Sequence, residues 1–146
     1  AHPFFDAAPP KSTGREVFGR PFVERIVARR PPASRADWCD LIATLTVFTA
    51  RTITDAIERW VEPLGYDEVI VTGGGARNPL LMRLLREALD PVPVHDGTVL
   101  GVDPDAKEAL AFAALAWAHL NGLPGNVPEA TGAAGARVLG SLTPGR

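Results

Sequence analysis

Three consecutive glycines, Gly73, Gly74 and Gly75, lie between the apolar run Val69–Val71 and the leucine-rich stretch "PLLMRLLREAL" that opens at Pro79. A phosphate or ribose can approach a main chain closely only where side chains are absent, and glycine also permits the positive φ of a sharp strand-to-helix turn. Free amides at a following helix N-terminus attract anions. Open α/β sheets bind ligands at the carboxyl ends of their strands, which is where these glycines fall if Val69–Val71 is a strand. The spacing fits neither G-x-x-x-x-G-K-[ST] nor G-x-G-x-x-G. Read locally, the turn suits a nucleotide contact or a tight connection without a ligand equally well.

Other residue types that carry chemistry are sparse. His2, His95 and His119 are scattered without metal-ligand spacing, so surface or packing roles are expected and no metal site is assigned. The single cysteine, Cys39, excludes an intrachain disulfide and a cysteine-rich zinc site. It lies on a helical pattern, where packing is the expected role.

The elements that would position the glycines can be read from periodicity and caps. Residues 1–19, rich in Pro, Gly and small polar types, read as a loop or linker. Pro21 suits the first position of a short helix with Phe22, Val23 and Ile26 on its apolar face, ended by Pro31-Pro32. Ser34 and Asp37 have capping-box spacing before a long helix over Asp37–Val61, about 37 Å at roughly 1.5 Å per residue. The β-branched run "TLTVFTARTIT" inside it competes as a strand signal, but three- and four-residue periodicity continues through it. Trp38, Trp60 and Trp117 fall on apolar helix faces and read as core.

"DEVIVT" reads as a buried strand, and Asn78-Pro79 as the cap and first residue of a helix with Leu81, Leu84, Leu85 and Ala88 on one face. "VPVH" at Val92–His95 is a second short strand, and "DGTVLGVD" a loop. Asp103-Pro104 repeats the cap pairing for a helix to about Asn121 that Gly122 closes, and the tail is mostly loop. Helix, strand, helix, strand, helix implies parallel strands covered by helices. Two strands are too few for such helices, so further strands must come from elsewhere or the chain is half of something.

A chain of 146 residues is one ordinary domain in size, with 46% hydrophobic and 22% charged residues. Its formal net charge of -2 gives no reason to expect nucleic acid or an anionic membrane as partner. The one basic cluster, Arg25, Arg29 and Arg30, reads as a solvated helix end. The longest apolar run, Ala109–Ala118, is too short to span a bilayer, so a cytoplasmic location is expected.

Four stretches, "PPKSTGRE" (Pro9–Glu16), "VTGGGARNPLLM" (Val71–Met82), "DAKEALAFAALAW" (Asp105–Trp117) and "GLPGNVPEATGA" (Gly122–Ala133), together resemble the C-terminal part of anhydro-N-acetylmuramic acid kinases, within the sugar kinase, Hsp70 and actin superfamily. The blocks keep the family's order and span nearly the whole chain. The resemblance implies an α/β fold: a partial actin-like ATPase (ribonuclease H-like) lobe, with long helices on a short parallel sheet and upstream antiparallel strands missing. Residues 1–19 would be a linker or cleft segment, and 20–146 the C-terminal portion of the second lobe.

The activity implied is phosphorylation by ATP, with Mg2+, of 1,6-anhydro-N-acetylmuramic acid at O6 while water opens the anhydro bridge. The product is N-acetylmuramic acid 6-phosphate, formed in peptidoglycan recycling. By the same resemblance Gly73, Gly74, Gly75 and Asn78 would lie against the adenosine or phosphates. Glu108 would face the sugar or its water, although a glutamate near a helix N-terminus also stabilises the helix without any ligand. Lys11, Ser12 and Arg15 would belong to a hinge or cleft segment that meets substrate; a polar loop without ligand is the plain alternative.

The chain departs from the family by an absence. No segment matches the phosphate-binding G-T-S-x-D-G-x-D pattern or the catalytic aspartate that precedes the second lobe, so no catalytic residue is assigned and the chain alone is expected to be inactive. The expected partners are ATP, the anhydro amino sugar and the missing N-terminal lobe or a second chain, with a homo-oligomer as one arrangement. Alternatives are another sugar or acyl kinase of the superfamily, and a noncatalytic binding module that pairs through its uncovered strand edge.

Overall fold

The computed structural model describes residues 2–101, 103 and 106–145. Its regular elements are α1 (Pro3–Asp6), α2 (Arg15–Phe18), α3 (Arg20–Arg29), α4 (Arg35–Trp60), β1 (Val69–Val71), α5 (Pro79–Leu89), β2 (Val94–Asp96), α6 (Lys107–Leu120) and α7 (Pro128–Thr131). Short 3-10 turns occupy Glu62–Leu64, Gly74–Arg77 and Gly97–Leu100.

Ser34 starts the longest helix, α4. Its hydroxyl accepts from the Asp37 amide at 3.1 Å, and the Asp37 carboxylate accepts from the Ser34 amide at 2.9 Å and the Ala33 amide at 3.0 Å. This reciprocal cap satisfies amides that a helix start otherwise leaves without partners. The β-branched run stays helical because its hydroxyls bond back along the helix. Thr44 donates to Asp40 O at 2.7 Å, Thr46 to Ile42 O at 2.9 Å, Thr49 to Leu45 O at 2.9 Å and Thr54 to Arg51 O at 3.1 Å. Buried Thr46 and Thr54 therefore leave no hydroxyl unpaired.

The core lies where α4 meets α5 and the sheet. Leu81, Met82, Leu85 and Leu89 of α5 are buried with Ala50 of α4 and Val94 of β2, and Ile53, Ile57, Val69 and Val71 pack around them. Leu84 is half-buried and Ala88 is exposed, so the buried stripe of α5 is rotated from the expected one toward Met82 and Leu89. Strands β1 and β2 are parallel neighbours, with Val69 opposite Val94 and Val71 opposite Asp96. The second strand thus lies slightly later in the sequence than Val92–His95, and "GTVL" after it closes into a 3-10 turn instead of a plain loop.

The N-terminal 19 residues are not wholly irregular: they form α1 and α2 around aromatic rings. Phe5 lies 5.1 Å from Phe18 and 5.7 Å from Phe48, while Phe22 stacks on Phe48 at 5.8 Å, centroid to centroid. Asp6 also meets Arg59 at 3.3 Å. These contacts pin the segment to α4.

Helix α6 behaves differently from the rest. Its start is at Lys107, with Ala106 at the cap position and no side-chain cap; Pro104 lies outside the described residues. Gly122 ends it as expected. With φ at 65°, it lets the Gly122 amide reach His119 O at 3.1 Å and the Leu123 amide reach Ala118 O at 2.9 Å. Nearly every residue of α6 is exposed, including Leu110, Phe112 and Trp117.

Four packing expectations are corrected. Trp38 is 47% and Trp117 61% exposed, and Cys39 is exposed. Periodicity marks an apolar face, but the first turns of α4 are exposed, and on α6, among the described residues, the tail reaches only Leu115 and His119, leaving Leu110, Phe112 and Trp117 uncovered. Trp60, also expected in the core, is only half-buried, although its indole nitrogen is buried.

Candidate functional site

The site grows from β1. Half-buried against the core rather than fully buried as expected, and paired with β2, the strand delivers Thr72 and Gly73 to the carboxyl end of the sheet. Gly73 has φ 76° and ψ -167°, a region that essentially only glycine occupies. That reversal sends the chain into the 3-10 turn Gly74–Arg77, where the Ala76 amide donates to Gly73 O at 3.1 Å and the Asn78 amide to Gly75 O at 3.0 Å. Asn78 then caps α5, its Oδ1 accepting from the amides of Leu80 at 3.1 Å and Leu81 at 3.2 Å, with Pro79 at the first helical position.

The three glycines have different reasons to be glycine. Gly73 is required by its backbone angles. A Cβ on Gly75 would stand 3.5 Å from Leu81, an ordinary contact. A Cβ on Gly74 would meet nothing within 4 Å, and its φ is not positive. Neither local packing nor strain explains Gly74, whose main chain is open to an incoming group.

Lys107, which sequence reasoning passed over, stands beside this turn. Its ammonium donates to Thr72 Oγ1 at 3.1 Å and lies 3.8 Å from where a Gly73 Cβ would be. The quoted block "DAKEALAFAALAW" contains it, but nothing local in the sequence pairs position 107 with position 72. Glu108 follows in the first turn of α6 and is exposed.

Asp96 is the second residue missed. It ends β2 opposite Val71 and caps the following 3-10 turn. The Thr98 hydroxyl and, next, the Thr98 amide at 2.9 Å hold its carboxyl below the usual aspartate value, with Arg86 and His95 adding smaller effects of the same sign.

Asn78 also edges a shallow open groove of about 330 Å³ between α4 and the start of α5, lined by Ile42, Leu45, Thr46, Thr49 and Leu81. The expected sugar-side residues are not all in one place with the glycines. Lys11 donates to Phe4 O at 3.0 Å and Phe5 O at 3.3 Å at the end of α1, and its ammonium lies 4.9 Å from the Phe4 ring. Ser12 and Arg15 are exposed beside it. This N-terminal block instead approaches the C-terminal one, since a Cβ on Gly132 would stand 3.6 Å from Pro10 Cγ.

Among the described residues no three His, Cys, Asp or Glu side chains gather as a metal cage. A magnesium ion delivered on phosphate oxygens needs few protein ligands, and no such ligand is assigned. No helix among the described residues is long and apolar enough to cross a membrane.

Two parallel strands, the first ending on an open glycine turn, with helices packed on them define an α/β protein with open main chain at the carboxyl edge of its sheet, the edge where open α/β sheets take ligands. The profile of the anhydro-N-acetylmuramic acid kinases matches residues 1–145, and the chain belongs to that family. An anhydro-N-acetylmuramic acid kinase of Rhodococcus erythropolis is 44% identical over 145 residues, covering 99% of this chain and 35% of the relative. Those of Streptomyces coelicolor and Pseudomonas putida are 44% and 46% identical, again over 99% of this chain and over 35% and 38% of their own lengths. The chain therefore spans little more than a third of these curated relatives.

Proposed function

We propose that this chain is the nucleotide-side portion of an ATP-dependent 1,6-anhydro-N-acetylmuramic acid kinase. In the whole enzyme the γ-phosphoryl group of ATP passes to O6 while water adds at C1 and opens the anhydro bridge, giving N-acetylmuramic acid 6-phosphate. The chain's own contribution is binding and orientation: the Gly73–Gly75 turn and Asn78 receive adenosine or its phosphates, and Glu108 faces the sugar. Mg2+ on the ATP supplies charge neutralisation.

The observation that carries this reading is the open main chain of Gly74, a glycine with no packing or conformational reason of its own. The relatives are named as kinases of anhydro-N-acetylmuramic acid, which supports the sugar acceptor and a phosphoryl transfer.

Alone the chain has no phosphotransfer activity, because no residue in it is assigned as the general base. Its surface supports incompleteness of the working unit. The chain exposes 10804 Å², whereas a compact monomer of 15.5 kDa exposes about 7,200 Å². The excess, about 3,600 Å² on this chain alone, is more than one partner gives to a standard interface, and the exposed apolar residues of α6, Phe112 and Trp117 among them, lie within that uncovered surface. Further kinase polypeptide covering these faces accounts for it.

The test has two arms. Calorimetric titration of the chain with ADP should show binding that the Gly74→Ala exchange weakens. Incubation with ATP, magnesium and the anhydro sugar should give no phosphorylated product; turnover at the rate of a full-length family member would overturn the division of labour.

A further inference from the structure

We propose that Lys107 is a phosphate-binding residue: its ammonium, steadied by Thr72 over the glycine turn, receives the anionic phosphate of a nucleotide lodged against Gly74. This rests on the nucleotide reading above and adds a charged contact to it.

The geometry is specific. Lys107 Nζ is 3.1 Å from Thr72 Oγ1 and 3.8 Å from the Cβ position of Gly73, so the positive charge hangs over the residue that reverses the chain. The neighbouring Gly74 main chain is open. An ammonium has three N–H donors, and among the described residues one is used, on a neutral hydroxyl, with no ion pair. Asp96, the carboxylate across the strand ends, is committed to the hydroxyl and amide of Thr98.

Placement within the helix argues the same way. Lys107 is the first residue of α6, where a cation faces the positive end of the helix dipole. A lysine there works against its own helix, and one exposed hydrogen bond to a threonine returns little stability. An arriving phosphate reverses the sign, since its negative charge is attracted by the ammonium and by the turn's amides together.

The discriminating experiment titrates the chain and its Lys107→Met and Lys107→Arg variants with adenosine and with ADP, at low and at physiological salt. Lys107→Met should weaken ADP about tenfold, as expected for a lost charge-assisted hydrogen bond, while leaving adenosine affinity unchanged. Salt should weaken ADP binding less in this variant than in the parent chain, and Lys107→Arg should keep ADP affinity within about threefold of it. Equal weakening of adenosine and ADP, or an unchanged ADP affinity, overturns the role of Lys107 and leaves nucleotide binding by the turn intact. Failure of the parent chain to bind either ligand overturns both readings.

Discussion

Val71 and Asp96 stand opposite each other at the carboxyl ends of two parallel strands, so the glycine turn and the Asp96 cap leave the sheet side by side. The turn brings open main chain to this edge and Asp96 brings a negative charge already held by Thr98. How each residue at this edge responds to change depends on which of those two jobs it does.

Gly73 and Gly74 should separate backbone strain from ligand contact. Gly73→Ala forces a side chain into a glycine-only region and should cost about 2 kcal/mol of stability. Gly74→Ala meets no atom and needs no positive φ, so stability should stay within about 0.5 kcal/mol. Chemical denaturation reads both. If Gly74→Ala keeps its stability but loses ADP affinity, the open main chain is a ligand surface.

Asp96 makes stability depend on acid in a definite direction. Its carboxyl is held below the ordinary aspartate value in the folded chain, by the Thr98 hydroxyl first and the Thr98 amide second. Its contribution is therefore fully present above the unfolded-state pKa, and is lost as pH falls through the lowered folded value. Thr98→Val removes the hydroxyl and should move the Asp96 carboxyl back toward 3.8, as followed by carboxyl chemical shift in an NMR titration. An unmoved titration would mean that the hydroxyl is not the main cause.

The cap on α4 offers a local test with a local magnitude. Ser34→Ala removes the acceptor of the Asp37 amide and should cost about 1 kcal/mol. It also removes the hydroxyl that donates to Asp37 at 2.8 Å, the largest influence lowering that carboxyl. The variant's Asp37 should titrate higher than in the parent chain, and the loss of stability should be greater at neutral pH than in strong acid.

What the sequence made legible was local chemistry. Ser34 with Asp37, Asn78 with Pro79, and Gly122 each mark a helix boundary through bonds that span a few residues, and each boundary is found within one or two positions of its expected place. The glycine turn was legible for the same reason. The pairing of Lys107 with Thr72 was not, because 35 residues separate them and no periodicity relates the two. Likewise the proline-rich start hid α1 and α2, whose Phe5 and Phe18 rings meet each other and are tied to α4 through Phe5 on Phe48, far along the chain. Apolar periodicity in α6 and at Trp38 reported the face correctly and could not report what lies against it.

Leu85 tests whether the small core carries the fold. At 1% exposure it is the most enclosed large side chain, wedged between α4 and the sheet. Leu85→Ala should cost about 3 kcal/mol, combining lost burial with the cavity left behind. In urea the midpoint should fall with the slope unchanged. A cost below about 1 kcal/mol would mean that the site collapses without penalty and that stability resides elsewhere.

Helix α6 makes the sharpest prediction about association. Phe112 is 71% exposed on a helix whose neighbours Leu110 and Trp117 are also uncovered, an apolar surface that a soluble monomer rarely presents. The isolated chain should associate as its concentration rises, as measured by sedimentation velocity. Phe112→Glu should suppress that association while changing stability by no more than about 0.5 kcal/mol, since little packing is lost. If Phe112→Glu instead lowers the unfolding midpoint strongly and leaves association intact, Phe112 is packed within its own chain, and the surface that drives association lies on another face.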